Sequence, residues 1–180
     1  MTRFPLVQEA DAADPLVRQI YDEIRTELGF GIVPNLFKSM AGHPKVLEAN
    51  WRKFSATILQ GEVPRTIKEM IGIAISQVNN SQYALQVHLH GLSALGISED
   101  VLRLLIQDFD TCPLPPRDKA VIRFGLLAAQ EPLSLNDGHF AELRSFGMND
   151  GEIYELIATA DLFSAVNVYT DAIALEIDAL

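Results

Sequence analysis

Residues 68–90 read KEMIGIAISQVNNSQYALQVHLH, and this stretch decides the fold. Its first half continues from Pro64 as PRTIKEMIGIAISQ, a helix predicted to run to about Gln77 with apolar residues on nearly every side. A helix apolar all round is one that the rest of the molecule covers. Asn79-Asn80 interrupts the pattern, and Ser81 is well suited to cap a second helix that ends before Gly96. The stretch therefore predicts a buried helical hairpin at the centre of the chain.

The same helical period extends outward on both sides. Asp14 as N-cap and Pro15 at the first helical position open a helix in which Leu16, Ile20, Ile24 and Leu28 recur every fourth residue until Gly29. A short helix around Asn35–Met40 follows. Then His43-Pro44 starts another helix, with Val46, Leu47, Trp51, Phe54 and Ile58 on one face and Gly61 at its end. Beyond the hairpin, Ser98 caps ISEDVLRLLIQ, and DFDTCPLPP, with three prolines, is a connector. Helices are predicted over 115–130, over 136–146 and from Asp150 to the C-terminus. Asn149 with Glu152 forms a capping box at the head of the last one. No stretch alternates cleanly enough to read as a strand. The chain is predicted all-α, a single domain spanning 1–180, with N-terminal helices in 1–62, motif-bearing helices in 63–110 and C-terminal helices in 114–180.

Composition limits what such a domain does. Of 180 residues, 48% are hydrophobic and 21% charged, which suits a packed core rather than disorder. The net charge of −10 lacks the basic face that phosphate neutralisation needs, and it disfavours an anionic membrane surface. A single cysteine, Cys112, excludes an intramolecular disulfide, a CxxC pair and a cysteine-based zinc cage. The N-terminal MTRFPLVQEADAAD has no apolar run of signal-peptide length, and no segment is long and apolar enough to span a membrane. The expectation is a cytoplasmic protein without nucleic-acid or membrane partners.

Two segments echo one another. Pro64-Arg65 and Pro116-Arg117 lie 52 residues apart, LGISEDV and FGMNDGE lie 51 apart, and at that offset His88 falls on His139. This suggests a duplicated helix-hairpin unit with a drifted second copy, against chance similarity between amphipathic helices.

The hairpin also carries the candidate chemistry. Glu69 lies about 15 Å before the Asn79-Asn80 turn and His88 about 12 Å after it, at the helical rise of about 1.5 Å per residue. The two are at nearly equal depth and can face each other. A carboxylate beside an imidazole in an apolar setting makes an acid/base pair. The structural alternative is a glutamate placed for the helix dipole and a packed, hydrogen-bonded histidine. His88 and His90 point about 200° apart on a helix and cannot share an ion, and Glu69 with His88 supplies too few ligands for structural zinc, so no metal is expected. Ser81 and His88 are two turns apart, too far for a nucleophile and its base. Cys112 has no basic sequence neighbour to activate it. Asn167 and Asp171, four apart in the apolar last helix, read as core polar groups or an inter-subunit contact.

On these residues the sequence resembles the alkylhydroperoxidase D-like, or carboxymuconolactone decarboxylase, family, and within it the peroxidase-related branch. In redox-active members a glutamate is followed by eleven residues, a CxxC, three residues and a histidine. Glu69 and His88 stand at that spacing, with Ser81 and Ala84 in the places of the two cysteines. The resemblance extends to VPNLFKSMAGHPKVLEANW and to LFSAVNVYTDAIAL, with Asn167 and Asp171 where relatives often have Asn and Asp. It implies the family's all-α fold and self-association as a trimer or hexamer, with the apolar last helix as a contact. The disulfide-cycling peroxidase chemistry needs the two sulfurs this site lacks. Three readings remain as expectations. The first is a cofactor-independent, decarboxylase-like acid/base enzyme on a small carboxylic or lactone-like metabolite. In it Glu69 and His88 handle protons, Ser81 and Tyr83 make polar contacts, and Ala84 leaves space for substrate. The second is a non-catalytic relative that binds a small molecule. The third is a peroxidase working without CxxC, with Cys112 bridging subunits.

Overall fold

The computed structural model describes residues 2–179, which form nine α-helices and no strand. They are α1 (Pro15–Leu28), α2 (Asn35–Met40), α3 (Pro44–Phe54), α4 (Arg65–Val78), α5 (Gln82–Ala94), α6 (Glu99–Gln107), α7 (Pro116–Gln130), α8 (Asp137–Ser145) and α9 (Asp150–Ala172). Local chemistry sets their ends. The Asp14 carboxylate accepts from the Leu16 and Val17 N–H groups to start α1, and Gly29 stops it in the left-handed conformation, φ 86°. Asn149 and Glu152 form the predicted reciprocal capping box at the head of α9.

The helices enclose two adjoining cores. α1, α2 and α3 gather Ile20, Ile24, Phe37, Leu47 and Trp51 into one. The other lies around α4, which packs against α5, α7 and α9 and contributes Met70, Ile71, Ile73 and Ile75. As its all-round apolar pattern predicts, α4 is buried over most of its length.

Four expectations are corrected. In α1 the buried stripe holds Ile20, Ile24 and Leu28 as expected but also takes in Val17 and Tyr21, while Leu16 stays at its edge. Val46 is 40% exposed, because the first turn of α3 projects beyond the core that Leu47 and Trp51 reach. The helix beginning at Pro44 passes at Ser55–Leu59 into a π turn, closed by the Gln60 N–H on the Ser55 carbonyl. α9 does not run to the end of the chain. Ala174 turns left-handed at φ 50°, and the Ala174 and Leu175 N–H groups close on the Asp171 and Thr170 carbonyls. Residues 173–179 then fold back along the N-terminal core.

The sequence echo reappears as a spacing of elements. α4 and α7 begin 51 residues apart, as do α6 and α9, and α5 and α8 end 51 apart. The chemistry is not repeated: His139 accepts the Asn136 N–H in a capping box, and Ala120 stands at the offset from Glu69. Among the described residues no helix is long and apolar enough to cross a membrane.

Candidate functional site

The α4–α5 hairpin brings Glu69 and His88 together. His88 Nδ1 lies 2.7 Å from Glu69 Oε2, and both side chains are buried. Arg65, one turn earlier on α4, donates from Nε to Glu69 Oε1 at 3.1 Å and from Nη1 to the Leu28 carbonyl at 3.0 Å. The Phe30 ring lies against its guanidinium. Burial pushes the Glu69 carboxyl up. The hydrogen bond and charge of His88, with those of Arg65, outweigh this and hold it below the ordinary carboxylate value. An ionised Glu69 fixes the imidazole with its Nδ1–H toward the carboxylate, which leaves Nε2 as the free nitrogen.

His88 Nε2 is buried and has no hydrogen-bond partner. Gly72 makes the room for it: a Cβ at that position would lie 2.5 Å from Nε2 and Cε1. Phe163 packs edge-on at 4.4 Å between ring centres. His88 also lines a small cavity of about 30 Å³ at the seam of the two cores. Phe30, Leu36, Phe37, Phe54, Val87 and Val166 form its apolar walls, and Arg65, Glu69 and His88 its polar end.

The other residues singled out in the motif divide. Ala84 lines the cavity, and so does the Tyr83 ring. The Tyr83 hydroxyl is engaged elsewhere, donating to Asp178 Oδ2 at 2.7 Å and accepting the Leu36 N–H at 2.9 Å. Burial, with the charge of Asp178, raises its pKa well above the usual value. Ser81 holds the N-cap position of α5 without capping it. Its hydroxyl turns instead to Asp171 Oδ1 at 2.9 Å, away from the cavity lining. Ser76 similarly donates to Asn167 Oδ1 at 3.1 Å. Asn167 and Asp171, one turn apart on α9, thus tie that helix to the α4–α5 turn.

His90 faces away from His88, with its ring edge-on to Phe30. Among the described residues no group of three or more His, Cys, Asp or Glu side chains is placed to hold a metal ion. Cys112 is buried in the core around α4, outside the cavity lining, and burial raises its pKa against the opposing charge of Lys119.

Sequence reasoning missed several supporting residues. Arg65 was legible as the partner four residues before Glu69, and Gly72 as a glycine inside a helix. Phe163 and Asp178 lie 75 and 90 residues beyond His88 and carry no local signal.

Residues 44–112 match the carboxymuconolactone decarboxylase family. No protein of curated function matches significantly. Among solved structures, the chain is similar to an uncharacterised peroxidase-related protein from Ralstonia eutropha JMP134 with an alkylhydroperoxidase AhpD core. The TM-score is 0.89 at 24% identity, covering 99% of this chain and 93% of that one. An uncharacterised peroxidase-related protein from Silicibacter sp. TM1040 gives 0.84 at 23%, covering 99% and 96%. The debrominase Bmp8, as a cysteine-to-alanine variant in complex with 2,3,4-tribromopyrrole, gives 0.82 at 19%, covering 99% and 95%. The fold is therefore alkylhydroperoxidase D-like.

Proposed function

From an alkylhydroperoxidase D-like fold with a carboxymuconolactone decarboxylase family segment, we propose a cofactor-independent, decarboxylase-like acid/base enzyme acting on a small carboxylic or lactone-like metabolite. The observation that carries this reading is the buried, unpartnered Nε2 of His88, opposite an Nδ1 anchored on an ionised Glu69. Such an imidazole is oriented for proton transfer at one nitrogen. In the proposed step, loss of CO2 from a substrate carboxylate leaves its electron pair on carbon as an enolate. The His88 imidazolium delivers a proton there from Nε2 and regains one from water, so one proton is taken up per CO2 released. Glu69 stabilises the charged ring, Ala84 and the Tyr83 ring shape the space, and Ser81 supports α5 from behind. That a protein of the same fold forms a complex with 2,3,4-tribromopyrrole supports a small-molecule ligand for this fold.

A second reading is favoured by the size of the cavity. Side chains nearly fill it, as expected of a non-catalytic relative that binds a small molecule. The peroxidase-related reading without CxxC finds less support: positions 81 and 84 carry no sulfur, and Cys112 is buried away from the cavity. Self-association as a trimer or hexamer belongs to the same proposal.

The test is CO2 release from a panel of carboxylated lactones. The natural chain is expected to turn over, and His88→Asn and Glu69→Gln to lose about 10²–10⁴-fold while keeping their helical circular dichroism. Undiminished turnover in either variant would overturn the acid/base pair. A Ser81→Cys/Ala84→Cys variant assayed with an organic hydroperoxide and a dithiol completes the comparison. Activity in the variant alone supports an intact Glu69–His88 geometry lacking only its sulfurs. Saturable hydroperoxide consumption by the natural chain favours the peroxidase-related reading over the acid/base one.

A further inference from the structure

The far end of the chain does not line the cavity beside His88, but it is hydrogen-bonded to residues of its wall and to their neighbours. Asp178 is only 8% exposed, although it lies in the tail beyond α9. One of its carboxylate oxygens accepts the Asn35 N–H at 2.7 Å, and the other accepts the Tyr83 hydroxyl at 2.7 Å. Tyr83 in turn accepts the Leu36 N–H. Three wall residues of the cavity, Pro34, Leu36 and Tyr83, are thereby drawn onto one carboxylate or the neighbours it binds.

The tail is held at its base and along its length. Arg3 donates its N–H to the Ile173 carbonyl at 2.8 Å, and the Glu176 N–H reaches Thr2 Oγ1 at 3.0 Å. Asn35 Nδ2 donates to the Glu176 carbonyl at 3.1 Å. Its hinge, Ala174, carries a left-handed backbone that a residue with a Cβ adopts only at a cost.

We propose that Asp178 is a positioning residue for the His88 site: through Tyr83 and the 34–36 segment it sets the width of the cavity that His88 lines and so the access of ligands to His88. With the carboxylate bonded, the narrow form of the cavity predominates; transient release of the tail lets the wall move outward, and a molecule of ring size enters in that opened form. This goes beyond the acid/base reading and stands without it, because it concerns access to His88 and not what His88 does.

The experiment measures that access directly. The lone pair of an unprotonated imidazole nitrogen, which here is Nε2, attacks one carbonyl of diethyl pyrocarbonate and gains its ethoxyformyl group. The bond to the reagent's other half breaks, ethyl carbonate leaves as CO2 and ethanol, and the ring gives up its Nδ1 proton. The rate at His88 is read by peptide mass spectrometry against exposed His43 in the same molecule. Asp178→Ala and Tyr83→Phe are each expected to raise the His88:His43 ratio about five- to tenfold, the effect of one lost hydrogen-bond link on a local opening. The double variant should exceed neither single one by much, because both break the same link. Asp178→Asn keeps an acceptor for the Asn35 N–H and should fall between.

Reaction of Cys112 with an aromatic disulfide reagent reports on the core around α4 away from the cavity. If the His88 ratio rises while Cys112 stays slow, the proposal stands. It is overturned if the ratio does not change, or if His88 and Cys112 speed up together, which would mean general loosening. Independent, additive effects of Asp178→Ala and Tyr83→Phe would also overturn it. A catalytic assay that fails in the natural chain leaves this result untouched.

Discussion

At the scale of single residues, Gly72 and Glu69 decide whether the site exists. Gly72→Ala places a methyl group 2.5 Å from the His88 ring, which is itself packed against Phe163. Overpacking of this kind costs about 1–3 kcal/mol, to be read as a lowered urea midpoint at unchanged slope. It should also displace His88 from Glu69. The pH response follows from Glu69, whose folded pKa lies below its ordinary value of 4.5. Its stabilisation is fully present above that value and is lost as pH falls through the lower folded one. Unfolding followed from pH 6 to pH 2 should therefore show a shallower acid limb in Glu69→Gln than in the natural chain, and parallel limbs would refute the assignment. Of this site, Glu69 and His88 were legible because two helices and a turn fix their relative depth. Ser81 was legible as an N-cap position but not in its hydrogen bond. Its hydroxyl chose Asp171, 90 residues away, over the α5 backbone, and only tertiary structure brings that competitor near.

At the scale of elements, the sequence marks where helices begin and end more surely than how they join. Asp14, Ser98 and Asn149 all cap as their side-chain chemistry predicts. The π turn after α3 and the end of α9 were not legible, because each is closed by partners outside the element. Lys68 shows this most clearly. It is completely buried on α4, with Nζ 2.9 Å from both the Gln60 carbonyl and Glu155 Oε2. Glu155, on α9, also accepts the Glu62 and Val63 N–H groups. Burial pushes the Glu155 carboxyl up, but these donors and Lys68 hold it below the ordinary value. Gly61, at φ 101°, leaves room for that carboxylate, which would meet a Cβ at 2.5 Å. The cluster clamps the end of the π turn between α4 and α9. Removing one partner of a buried pair costs about 3–5 kcal/mol, and the partial exposure of Glu155 places Lys68→Ala near the low end. Lys68→Met with Glu155→Gln should lose less than the two single losses added, as measured by a double-mutant cycle of chemical denaturation.

At the scale of the molecule, the site lies where two cores meet, and α9 holds that seam together. Its inner face carries Leu156, Phe163 and Asn167 against α4, α5 and α7, so most of its apolar character is accounted for within one chain. A stripe on the opposite face is not. Tyr154 and Val168 are each 72% exposed and Ile157 is 39% exposed, and the three share a face because 3 and 14 residues are close to whole turns of helix. If copies of this chain associate, this stripe is the apolar surface that α9 offers, in line with the proposed trimer or hexamer. Two charges face it: Asp161 on the same stripe, and Lys53, which pairs with it at 2.6 Å. Each copy carries a net charge of −10, so association must overcome mutual repulsion. Salt should therefore favour it, since the Debye length falls from about 30 Å at 0.01 M to about 8 Å at 0.15 M. Light scattering coupled to size exclusion is expected to give a multiple of 19.9 kDa for the natural chain, rising or holding with salt. Tyr154→Asp with Val168→Asp should lower that mass without altering the helical circular dichroism. A natural chain that runs at 19.9 kDa at every salt concentration would remove α9 as a subunit contact and leave its outer stripe simply solvated.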